Sequence, residues 1–67
     1  MNYVISDGST VDIQVGMFVL VKLGYLPPEY DNKPIEIVDV DADCPHFFDG
    51  VQNSGITPSL INEVANA

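Results

Sequence analysis

Gly55–Val64, GITPSLINEV, is the stretch that decides the fold class. Thr57 ahead of Pro58 has the chemistry of a helix start, a capping hydroxyl followed by proline at the first helical position. That reading gives a short C-terminal helix, Pro58–Ala67, and an α+β domain with an antiparallel sheet. The competing reading is one short turn at Thr57–Leu60 and then a final strand, Ile61–Val64, which makes the chain all-β.

Upstream, the chain reads as strands. Asp7-Gly8 sits between two β-rich runs, a hairpin signal of the type I′ class. Val11, Ile13 and Val15 alternate with polar residues, the pattern of a half-buried strand. Gly16 interrupts, marking a bulge or sharp bend. Met17–Leu23, MFVLVKL, is a continuous apolar run and is expected to be a central strand covered on both sides. Gly24–Pro34 is a long loop, since Pro27-Pro28 cannot continue a central strand and Gly24, Asp31 and Asn32 favour turns. It carries Tyr25, Leu26, Glu29 and Tyr30. A small domain needs every large side chain it can bury, so these aromatics are expected to lie over one open end of the core. In Ile35–Asp43, IEIVDVDAD, the apolar positions Ile35, Ile37, Val38 and Val40 fit no single period-two face, so a bulge or strong curl is expected. Cys44-Pro45 turns the chain, and His46-Phe47-Phe48 resumes an extended segment.

The chain of 67 residues is expected to form a single small domain, residues 1–67, which buries only ~60 % of its unfolded surface. Ten carboxylates face two lysines and no arginine, for a formal net charge of −8. That argues against direct nucleic-acid binding, which needs a basic face, and against an anionic membrane surface. It favours a basic protein partner, or it simply serves solubility. A lone cysteine, Cys44, excludes an internal disulfide, and a reducing cytoplasm is the expected compartment. No signal peptide is visible, and no apolar run approaches the ~20 residues of a membrane helix.

This order of pieces resembles a small Src-homology-3-like barrel: a hairpin, VGMFVLV, an aromatic and proline-bearing loop, IEIVDVDAD, HFF, then Pro58-Ser59-Leu60-Ile61. The segment is also similar to the opening of barrel modules of translation and transcription factors, and small acidic barrels of this kind resemble accessory proteins of tailed phages. The resemblance implies an all-β, five-stranded barrel with a one-turn helix before its last strand, and a binding protein more than an enzyme. The chain departs from the peptide-binding members in having no tryptophan, and from the nucleic-acid-binding members in being acidic.

The chemistry-bearing stretch is Asp39–Gly50, DVDADCPHFFDG. Asp39, Asp41 and Asp43 have the spacing of the first ligands of a calcium loop, but Cys44 stands where the loop needs glycine and Gly50 where it needs glutamate. A looser set, Asp43, Cys44, His46 and Asp49, falls short of the four Cys or His ligands usual for structural zinc. No metal or other cofactor is therefore expected. Cys44 and His46 share a strand face, with Asp49 as a third group, but surrounding carboxylates oppose a thiolate nucleophile, and no enzyme activity is expected. Alternation puts Asp39, Asp41 and Asp43 on one solvent-facing strand face, a negative ridge. The expected partner-binding residues are thus Asp39, Asp41, Asp43 and Asp49, with Glu29, Tyr25 and Tyr30 from the loop. The expected function is docking of a monomer or weak homo-oligomer on a basic protein, inhibiting it by competing with nucleic acid. The alternative is an assembly subunit that uses Tyr25, Leu26, Tyr30 and Phe47 or Phe48 as a contact patch.

Overall fold

The computed structural model describes residues 1–66. Its strands are β1 (Asn2–Val4), β2 (Thr10–Asp12), β3 (Phe18–Val21), β4 (Ile35–Glu36), β5 (Asp39–Val40), β6 (Pro45–Phe48), β7 (Asn53–Gly55) and β8 (Ile61–Ala65). Two 3₁₀ turns, Pro28–Tyr30 and Pro58–Leu60, are the only helical pieces among the described residues. The chain is all-β. The GITPSLINEV run resolves as the single turn followed by a strand, and not as a C-terminal helix; Ala67 lies outside the described residues. The Thr57 side chain caps nothing.

The strands do not close into a five-stranded barrel. They bond as three small antiparallel sheets, in the orders β1-β2, β4-β3-β8 and β5-β6-β7. Among the described residues no ladder joins the outer strands β7 and β8, so the two three-stranded sheets meet only through the run Ile35–Val40, which changes sheets midway. Ile35 and Glu36 pair with β3, and Asp39 and Val40 pair with β6. Between them the Ile37 amide donates to the Met17 carbonyl at 2.8 Å, and the Val38 amide to the His46 carbonyl at 2.9 Å. One curled strand thus serves two sheets, which is why its apolar residues obey no single alternation. Ile37, at the bend, is fully buried.

The core draws on β1, β3, β4, β6 and β8 through Tyr3, Val19, Val21, Ile35, Phe47 and Ile61, and on the connecting residues Ile5, Ile13, Ile37 and Ile56. β3 is central in its sheet, as its apolar run implies, but only one face is covered. Val19 and Val21 are buried, whereas Phe18 and Leu20 are half-buried along an open groove with Pro34 and Val64. Val15 also departs from expectation. β2 ends at Asp12, and the turn from Gln14 to Met17, with Gly16 at φ +94°, leaves Val15 60 % exposed.

The first hairpin forms at Asp7-Gly8 but with a different turn. A type I′ turn needs positive φ at both central residues, and here Gly8 alone has it, at +84°. The Gly8 amide donates to the Ile5 carbonyl and the Ile5 amide to Ser9, while the Asp7 carboxylate accepts from the Ser9 amide and hydroxyl. The backbone closes this turn and the Asp7 carboxylate reinforces it.

Replacing Ile37 with alanine should empty the junction of the two sheets and destabilise the chain by about 2–4 kcal/mol. Val51→Ala, at a side chain 87 % exposed, should change stability by less than about 0.5 kcal/mol. Urea unfolding followed by circular dichroism measures both.

Candidate functional site

The β5–β6 turn, Asp41–Cys44, holds the most ordered group of polar side chains. Asp41 Oδ1 accepts from the amides of Asp43 at 2.8 Å and Cys44 at 3.0 Å, closing the turn. Its other oxygen, Oδ2, accepts from His46 Nε2 at 2.7 Å. Tyr3 of β1 donates its hydroxyl to the Asp41 carbonyl at 2.6 Å, so the N-terminal hairpin braces this turn. Cys44 Sγ lies 3.8 Å from the same His46 nitrogen. Gly55 of β7 packs beneath: a Cβ there would stand 2.7 Å from Cys44 Sγ, closer than such contacts allow.

These contacts explain the local electrostatics. Hydrogen bonds from the Cys44 amide, His46 and the Asp43 amide hold the Asp41 carboxyl at about 2, below its ordinary 3.8. Burial, with repulsion from Asp41 and Asp43 added, pushes the Cys44 thiol up. Burial likewise raises the Tyr3 phenol.

The geometry revises the sequence reading in two ways. Asp39, Asp41 and Asp43 are all exposed, but they do not line one strand face, because β5 ends at Val40 and Asp41 turns inward to hold the hairpin. The carboxylate beside Cys44 and His46 is Asp41, and not Asp49 or Asp43. Asp49 closes the next turn instead, accepting from the amides of Val51 and Gln52 and from the Ser54 hydroxyl, which lowers its carboxyl below the usual range. Asp41 and Asp49 each stand where a hairpin turn begins, the signal that marks them as turn-holding carboxylates.

A second feature opens at the other end of β6. Leu26, Pro27, Glu29, Tyr30, Phe47, Asp49, Val51, Ser54 and Gly55 line a groove of about 370 Å³. Here the structure brings together Glu29, Tyr30 and Asp49 of the expected partner-binding set, acids over an apolar floor. Tyr30 and Phe47 meet edge to face, ring centroids 5.5 Å apart. Phe47 is buried, whereas Phe48 is 56 % exposed. The loop aromatics do lie back on the core, as expected for so small a chain. Tyr25 does so by hydrogen bonding: its hydroxyl donates to Thr57 Oγ1 at 3.2 Å and accepts from the Thr57 amide at 3.0 Å, pinning the long loop to the last turn.

No family model, curated protein or solved structure matches the chain.

The Asp41 hydrogen bonds make a prediction about acid stability. A carboxyl whose folded value lies below its unfolded one stabilises the fold above the ordinary 3.8, and that contribution disappears as pH falls through about 2. Wild-type protein should therefore be more stable than Asp41→Asn at neutral pH, with the gap closing toward pH 2. Thermal unfolding of both proteins across the acid range measures it; a pH-independent gap would count against the carboxylate's role.

Proposed function

We propose that this protein is a non-catalytic docking module whose acidic surface binds a basic surface of another protein, inhibiting that partner where the same surface holds nucleic acid. The observation that carries the reading is the state of the charges. All ten carboxylates are exposed. Among the described residues the only ion pair of permanently charged groups joins Asp12 to the N-terminal ammonium, while Asp41 hydrogen-bonds His46. Neither lysine offsets the negative surface locally. Such a surface raises the rate of encounter with a basic partner and orients it. The groove over Phe47 supplies the matching chemistry for a lysine or arginine side chain: an apolar floor for the methylene stem, and Glu29 and Asp49 for the charged head.

Kinship with Src-homology-3-like barrels is part of the same proposal. It is supported by the antiparallel order β8-β3-β4, continuing through the shared strand into β5-β6-β7, and by the one-turn helix directly before β8. A second reading, an assembly subunit, draws support from Phe48 and Val51, 56 % and 87 % exposed beside the groove. Under that reading the chain self-associates at high concentration, and ultracentrifugation would show a monomer–dimer equilibrium that Phe48→Ser abolishes.

The docking proposal is tested by affinity capture from lysate at low and high salt, comparing wild type with two variants. The first replaces Asp39, Asp41 and Asp43 with asparagine; the second carries Glu29→Gln and Asp49→Asn. Asparagine keeps the turn-closing carbonyl oxygen, so folding is retained while charge is lost. Capture of a basic protein should fall steeply as salt rises, because screening shortens the reach of exposed charges to about 8 Å at physiological ionic strength. It should also fall in both variants. Capture that is indifferent to salt and to these substitutions would sink the proposal.

A further inference from the structure

The turn holding Asp41, Cys44 and His46 has a capacity beyond the contribution of Asp41 to the docking surface. The geometry points to a three-donor site for a divalent cation of the zinc or cobalt(II) type, bound by Asp41 Oδ2, Cys44 Sγ and His46 Nε2 with water in the fourth position. Donor atoms of these three side chains lie within 4.8 Å of one another. Metal bonds of ~2.3 Å to sulfur and ~2.0 Å to nitrogen or oxygen put tetrahedral donors about 3.3–3.6 Å apart. Cys44 Sγ and His46 Nε2 are at 3.8 Å, close to that separation. The 2.7 Å hydrogen bond from His46 to Asp41 has to open by only about half an ångström to admit the ion.

Three features of the fold favour the site beyond proximity. Both Asp41 and Cys44 converge on one nitrogen of His46, which is the arrangement around a common ion. A nucleophile relay instead uses the two ring nitrogens for its two partners. The Asp41 carboxylate is held by the turn amides through its other oxygen, so its free oxygen is already oriented, as supporting hydrogen bonds orient ligands in metal sites. Gly55 leaves the space that Cys44 Sγ occupies. The donor set selects the cation: thiolate and imidazole suit zinc and cobalt, whereas calcium and magnesium require oxygen ligands.

On binding, the Cys44 thiol proton leaves to solvent and the His46 proton moves from Nε2 to Nδ1. The dication, one thiolate and one carboxylate then sum to a neutral centre. The neighbouring acids Asp39 and Asp43 add a negative field that attracts the ion. The site is independent of the docking reading, since its test involves no protein partner.

The test is titration of the reduced, metal-free chain with cobalt(II). The expected result is saturation at one ion per chain, with visible bands of a tetrahedral centre and a near-ultraviolet thiolate-to-cobalt band, both bleached by zinc. Cys44→Ser should lose the thiolate band, and Asp41→Asn and His46→Asn should each weaken binding about tenfold or more. Absence of the thiolate band in wild type would overturn the proposal. So would wild-type affinity in Asp41→Asn, which would reduce the site to a thiol–imidazole chelate. Nitrogen-15 spectra of His46 in unmodified protein give a measurement free of folding effects: zinc should shift Nε2 to its ligated position with Nδ1 protonated, and an unmoved ring would equally refute the site.

Discussion

The exchange of hydrogen bonds at Ile37 and Val38 is the constraint on which the rest of the structure depends. The Ile37 amide and carbonyl both bond back to the Gly16–Met17 turn, at 2.8 and 2.9 Å, and the next amide, Val38, bonds the opposite way to His46. Two sheets are joined covalently at this point by one residue step. Each sheet alone is too small to bury a face, with strands of two to five residues. Their stability comes from sharing the core, and Ile37, at zero exposure, lies at the centre of what they share. Because Gly16 and His46 are the partners of this switch, the same bonds also position β6, and with it the Cys44–His46 turn at one end and the Phe47 groove at the other.

Much of this was legible from residue types. The irregular apolar pattern of Ile35–Val40 signalled a curled strand, whereas the residue types around Pro58 allowed either a helix or a turn and closing strand, and only the resemblance to Src-homology-3-like barrels favoured the strand. What the pattern could not convey was how far each strand runs. Val15 continues a perfect alternation, yet Gly16 at φ +94° ends pairing before Val15 can join it. Likewise Asp39, Asp41 and Asp43 alternate in sequence, yet the ladder stops at Val40. Period-two reasoning assumes extended backbone throughout, and a turn two residues away breaks the assumption. Barrel closure fails elsewhere: the shared strand at Ile37–Val38 joins the two three-stranded sheets, but among the described residues no ladder joins their outer strands, β7 and β8.

The site was legible by its ingredients and not by its pairing. Cys44 and His46 fall on one face because they are two apart on an extended segment. Which carboxylate joins them depends on turn geometry. Asp49 is closer to His46 in sequence than Asp41 is, but the hairpin turn brings the Asp41 side chain to His46 and carries Asp49 onward into the next turn. The register Asp39↔His46 and Val40↔Pro45 fixes this, and register is set by the turn, whose type depends on the local hydrogen bonds of Asp41 itself.

The acidic composition therefore has two origins. Asp7, Asp41 and Asp49 each open a hairpin turn and spend a carboxylate oxygen on backbone amides, and Asp12 holds the N-terminal ammonium at 2.9 Å. These four acids have a structural reason to be there. Glu29, Asp31, Glu36, Asp43 and Glu63 are exposed, and among the described residues their side chains hold no turn and form no ion pair. Asp39, which accepts from the adjacent Val40 amide, stands between the two groups. Turn chemistry alone would leave a mildly acidic domain. The excess beyond it is the part of the surface on which the docking proposal rests.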